Sequence, residues 1–154
     1  MATLLLATIF LSGCAAPVFR DANGVSPAPA ELVARADAGA GTSVVWGGTL
    51  LAVRNLADAT ELHVQAYPLD RDQRPRATAA PTGRFIVRMP GFVEPLEYPP
   101  GISVTVRGTV HGVRRVPIDG RAFAYALVDD ATVHRWRANA SGGGMRIGIG
   151  IGVR

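Results

Sequence analysis

The group with the most distinctive chemistry in this chain is a thiol. Cys14 is the single cysteine of 154 residues, and it closes Leu11-Ser12-Gly13-Cys14 directly behind the apolar run 4–11. Small residues ahead of a cysteine admit a signal peptidase, and the thiol takes a thioether-linked diacylglycerol before cleavage, which is the chemistry of a bacterial lipobox. The spacing therefore predicts lipidation at Cys14. That covalent lipid is the sole prosthetic group expected, with no other cofactor, and one thiol rules out an intramolecular disulfide.

The other reactive residue types do not assemble into a reaction. His63, His111 and His134 lie 48 and 23 residues apart, without the spacing of a metal site. Asp70-x-Asp72 opens like a calcium loop, but Arg74 and Pro75 follow and no Glu closes it, so it reads as a turn. Glu94 and Glu97 are three residues apart, but Pro95 between them argues against a helical acid pair. Neither Gly-x-Ser-x-Gly nor Ser-x-x-Lys occurs, since the chain has no Lys. A protein without catalysis and without a metal is expected.

The run 4–11 is eight residues long, apolar but for Thr8 and far short of the roughly 18 that span a bilayer, so 1–13 is read as a signal peptide. Ala15 follows the cysteine where Asp would retain a lipoprotein in the inner membrane, which predicts an outer-membrane, periplasm-facing address. All the basic charge is arginine: 16 Arg against 12 acids give +4 and a pI near 10.2. Arginine forks suit phosphates, but no run of like charge exceeds Arg114-Arg115, so no nucleic-acid partner is expected. Ala, Gly and Arg make up 58 residues, a bias that reads as codon composition rather than as selection for a ligand.

These groups need a scaffold, and the scaffold is β. Gly and Pro total 29 residues in a chain that is 48% hydrophobic, which favours turn-rich strands over a helix bundle. Residues 14–42 read as the lipidated Cys and a tether. Within it Ser26 and Pro27 are the predicted N-cap and first position of a short helix, ended by Gly39 and Gly41, that forms only if Leu32 and Val33 dock. Strands are predicted at 44–55, 60–67, 84–89, 102–111, 123–128 and 132–136. Leu62, Val64 and Ala66 alternate with Glu61, His63 and Gln65, which predicts one buried and one wet face. Gly47-Gly48 predicts a bulge that bends the first strand. A long bent strand with about five strands over 43–137 predicts a small antiparallel OB-like barrel. The tail 138–154 carries a Gly triplet and alternating Ile and Gly; it reads as a free tail or as a strand for a sheet edge, and its pattern is not a nucleotide loop.

One set of residues goes further. Val45-Trp46-Gly47-Gly48, Val53-Arg54-Asn55, Thr60-Glu61-Leu62, Tyr67-Pro68-Leu69-Asp70, Gly83-Arg84-Phe85, Pro90-Gly91-Phe92, Gly101, Thr105-Val106-Arg107-Gly108 and Trp136 follow one another behind the lipobox. In that order they resemble the Slp family of starvation-inducible outer-membrane lipoproteins, with Glu94-Pro95 where the family tends to have Asp-Pro and a different tail. The resemblance implies an acyl-anchored outer-membrane protein, possible stress or starvation expression, and no assigned catalysis. Trp46, Gly47, Gly48, Arg84, Phe85 and Trp136 are the candidate core or binding positions; Arg84 would take either an anionic group or an internal salt bridge. The expected role is structural or interactive, with an envelope protein or polymer as partner. The alternative is a barrel that binds an oligosaccharide or other envelope polymer.

Overall fold

A computed structural model of the chain describes residues 16–20, 26–35 and 39–137. The signal peptide, Cys14 and the tail 138–154 lie outside the described residues. Five strands form the body: β1 (Ser43–Asn55), β2 (Ala59–Tyr67), β3 (Gly83–Pro90), β4 (Ser103–Ile118) and β5 (Arg121–Arg135). They close into a barrel in the order β1-β2-β3-β5-β4, with β4 returning to β1. Every pairing is antiparallel except β3 with β5, which is parallel over Phe85, Ile86 and Val87. The barrel is thus all-β and OB-like, with one parallel seam that an antiparallel reading leaves out.

Period-2 alternation fills the interior. Leu62, Val64 and Ala66 of β2, Phe85 and Val87 of β3, Val104, Val106 and Val110 of β4, and Ala126 and Val128 of β5 are all buried in one cluster. Closure falls on β1, which pairs with β2 over Gly47 to Asn55 and with β4 over Ser43 to Thr49. Gly47 and Gly48 keep regular register with both neighbours, and the register shift of β1 lies between Leu50 and Ala52 instead. The glycines therefore serve close approach, not a bulge. A side chain at Gly48 would run into the Gln65 carbonyl, and one at Gly47 would meet the Leu69 side chain at 2.5 Å.

The long hairpin departs from the sequence reading. The fourth strand continues past residue 111 to Ile118, and the segments 123–128 and 132–136 are one strand, Arg121–Arg135. Asp119 and Gly120 turn between them with φ of 48° and 77°, the left-handed pair that a two-residue hairpin turn needs. Asp130, at φ 50°, sits where two strands were expected, so the chain kinks there without ending the ladder.

The tether segments are docked. The short helix α1 (Pro29–Val33) has Ala28 as N-cap and Pro29 in its first turn. Ser26 is not the cap, because its hydroxyl accepts a hydrogen bond from the Val45 amide at 2.8 Å. The Trp46 indole donates to the Pro27 carbonyl at 2.8 Å, the Ala30 amide donates to Thr82, and Leu32 is fully buried in the barrel cluster. Trp46 also packs on Phe85, with ring centroids 5.4 Å apart.

Trp46 thus joins core to tether, and two substitutions separate its roles. Trp46→Ala is expected to cost about 3–5 kcal/mol in denaturant unfolding, the usual loss for a buried aromatic. Trp46→Phe keeps the ring but leaves Pro27 without its donor, for a loss of about 1 kcal/mol. A loss below about 1 kcal/mol for the alanine variant would place Trp46 outside the core.

Candidate functional site

In five-stranded barrels of this kind the outer face of the second and third strands is the usual ligand surface. Here β2 presents Glu61, His63 and Gln65 on that face, opposite Arg88, Ile86 and Arg84 of β3. It is not the wet face that alternation predicts. Glu61 is 3% and His63 6% exposed, and Ile86 is equally covered. The cover is the outer part of the β4–β5 hairpin. From β4, Arg114 reaches Glu61, its Nη1 donating to Oε1 at 2.7 Å and to Oε2 at 2.9 Å. From β5, Tyr125 is buried edge-on against His63, with ring centroids 5.5 Å apart.

Arg84 stacks on the same hairpin. Its guanidinium lies 3.8 Å from the Phe123 ring centre, Nη1 donates to the Tyr125 hydroxyl at 3.3 Å, and Nε donates to Gln65 Oε1 at 3.2 Å. These partners are neutral, so among the described residues no internal salt bridge accounts for its position. A cation on an aromatic face holds the hairpin down instead.

Glu61, His63 and Tyr125 form an acid, base and hydroxyl cluster that the sequence reading missed, because the hairpin that assembles it was read as ending at residue 111. Burial pushes the His63 pKa below the ordinary histidine range. The Glu61 carboxylate opposes that shift, while Arg54 and Arg114 add to it. His63 Nε2 has no hydrogen-bond partner among the described residues and lies 3.6 Å from Glu61 Oε2. Both side chains are covered by the hairpin, and the Glu61 carboxylate is already bound by Arg114.

Two open clefts lie where α1 crosses the barrel. The larger, about 830 Å³, is lined by Trp46, Tyr67 and Leu69 with Glu31, Arg35 and Asp70. The smaller, about 540 Å³, includes Arg84, Phe123 and Gly83. Of the candidate positions, Trp46 and Gly47 line the first and Arg84 the second, whereas Phe85 is fully inside the core and Gly48 lies under β2. Trp136 lies apart from them; its indole donates to the Thr105 hydroxyl at 2.8 Å beneath the Arg74 guanidinium. The three histidines have separate neighbours: His111 is 3.8 Å from Asp129, and His134 is edge-on to Trp136. Among the described residues no group of three or more His, Cys, Asp or Glu is placed to hold a metal ion, and no helix is long and apolar enough to cross a membrane.

Comparison with known proteins gives three findings. The family described as the outer membrane lipoprotein Slp family matches residues 11–145. The uncharacterized lipoprotein YeaY of Escherichia coli (strain K12) is 29% identical over 133 residues, covering 83% of this chain and 67% of the relative. A small single-stranded DNA-binding protein from Streptomyces coelicolor aligns at a TM-score of 0.36 and 18% identity, over 62% of this chain and 94% of that one.

The depressed His63 pKa sets the sign of a pH effect. As pH falls through the ordinary histidine range, the unfolded chain takes up a proton that folded His63 refuses, so stability falls. His63→Phe keeps a ring against Tyr125 and removes the titration. Urea unfolding from pH 7.5 down to 5 is therefore expected to show the variant gaining on the wild type as pH drops; a difference that stays constant with pH would place the titration elsewhere.

Proposed function

The chain belongs to the outer membrane lipoprotein Slp family, and from that footing we propose that it is an acyl-anchored envelope protein whose barrel has a structural or interaction role without catalysis. Lipid on Cys14 holds it at the outer membrane, facing the periplasm. Acyl chains contribute about 0.8 kcal/mol per buried CH₂, so an anchor with more than one chain is effectively permanent. The observation that carries the role is the covered β2–β3 face. Glu61 is bound by Arg114, and Tyr125 and Phe123 are bound by Arg84. The groups that would bind or transform a ligand on an open barrel face are engaged with each other. What remains for the surroundings is an outer surface, and the partner is an envelope protein or polymer. Metabolic palmitate labelling is expected to mark the wild type, with the label co-fractionating with outer membranes. Cys14→Ser should lose the label and appear as a soluble or uncleaved form. Equal labelling of both overturns the anchor.

A second reading, a binding module for an oligosaccharide or other envelope polymer, is favoured by the larger cleft. Its volume of about 830 Å³ is in the range of small-molecule sites, and it sets Trp46 and Tyr67 beside Glu31, Arg35 and Asp70. Apolar ring surface with polar groups at its edge suits a sugar. Soluble peptidoglycan fragments titrated into the protein should then change tryptophan fluorescence saturably, and Tyr67→Ala should abolish the change. A flat titration of the wild type rejects this reading.

A further inference from the structure

The most exposed large apolar side chains among the described residues, Phe92, Leu96 and Leu56, share one end of the barrel, while the less exposed Leu51 lies on β1 and Ile118 beside the hairpin turn. The shared end is built from the β1–β2 turn and the β3–β4 connection, where Phe92 is 70%, Leu96 87% and Leu56 43% exposed. The loops are not loose. The Gly91 amide donates to Asp58, the Thr60 hydroxyl donates to the Gly91 carbonyl at 2.8 Å, and Asn55 Nδ2 donates to Val93 at 3.1 Å. Val93 and Tyr98, from the same connection, are buried as the plug of this end. The connection seals the barrel with Val93 and Tyr98 and turns Phe92 and Leu96 outward. Arg88 and Arg135 belong to the same end: Arg88 lies 3.6 Å from Asp58, and Arg135 lies over the Tyr98 ring, 3.5 Å from the Glu97 carboxylate, and donates to the Glu97 carbonyl at 2.8 Å.

The chain between anchor and barrel decides what this end meets. Residues 16–20 are fastened to the barrel wall: the Phe19 amide donates to Gln73 Oε1 at 2.7 Å, and Gln73 Nε2 donates back to the Phe19 carbonyl at 3.1 Å. Phe19 is 8% exposed beneath the Arg107 guanidinium. The Gln73 carbonyl accepts from Thr105, which accepts from Trp136, the residue after Arg135. Phe19 is thus linked by a short chain of contacts to the apolar end. Cys14 precedes Phe19 by five residues, and an extended chain covers at most about 3.6 Å per residue, so the acyl group lies within roughly 18 Å of Phe19. The described tether residues are held against the barrel, so a lipid on Cys14 would be attached close to it.

Resting on the anchor reading above, we propose that the barrel lies on the leaflet that holds its acyl chains, with Phe92 and Leu96 inserted at the interface and the surrounding arginines at headgroup phosphates. Large apolar side chains rimmed by arginine are the composition of an interfacial contact, in which the guanidinium stays at the polar boundary. The hairpin turn at Asp119 and Gly120 belongs to the opposite end of the barrel and stays in water.

The test uses the acylated full-length protein in vesicles of phosphatidylethanolamine and phosphatidylglycerol. An environment-sensitive fluorophore is placed at Leu96→Cys or at Asp119→Cys, the Cys14 thiol being blocked by its lipid. Flotation is followed by quenching with doxyl-labelled lipids. The expected result is blue-shifted emission at position 96, quenched several-fold more than at position 119. Floating vesicles with both labels equally unquenched overturn the orientation while the anchor stands. Protein that fails to float overturns the anchor and this inference with it. A blue shift at position 96 that depends on protein density and ignores the quenching lipids assigns the end to a second copy of the chain and overturns the lipid contact.

Discussion

Closure of the barrel rests on a stretch of β1 that is paired on both edges at once. Gly47, Gly48 and Thr49 face β2 on one side and β4 on the other. The strand bends there from one partner to the other, and β2 comes so near that Gly48 has no space for a side chain. Bringing the first and fourth strands together costs loop-closure entropy that only the buried interior repays. Trp46, one residue before the glycines, contributes to that repayment by packing on Phe85, and its indole holds the tether.

From this closure follows the fate of the outer face. The barrel needs only the first part of β4 and the last part of β5 for its wall, so the rest of the hairpin is free to fold over β2 and β3. It does so with charge and aromatic contacts. A carboxylate as buried as Glu61 is tolerable only with a close cation, and Arg114 supplies one while leaving part of its own side chain in water. Arg84, over Phe123 and against Tyr125, fastens the neighbouring strand. The surface that such barrels use for ligands is thereby turned into a second packed layer.

The tether has a comparable economy. Its composition, rich in Ala, Pro and Gly, is that of a spacer, yet Phe19, Ser26, Pro27, Ala30 and Leu32 each find a partner on the barrel. Proline at the start of α1 and a buried Leu32 suffice for a helix of five residues that has no stability of its own.

The sequence by itself determined the strands that alternate cleanly, the turns punctuated by Gly and Pro, the closed-barrel class and the family, because these depend on local periodicity and on ordered motifs. The fourth strand runs past the predicted end at residue 111 to Ile118, and the turn at Asp119 and Gly120 became legible only in the fold. Two other signals were local and ambiguous: Gly47-Gly48 suits a bulge or a close approach, and Ser26 suits a cap or a pin. Tertiary structure alone decided between them, because the choice depends on which distant backbone arrives. It also decided that Glu61 and His63 are buried, that Arg84 meets an aromatic ring in place of an acid, and that the tether is docked. The physical reason is the same in each case. Alternation tells which residues of a strand share a face, but the cover of the second face comes from residues tens of positions away, and no local pattern records it.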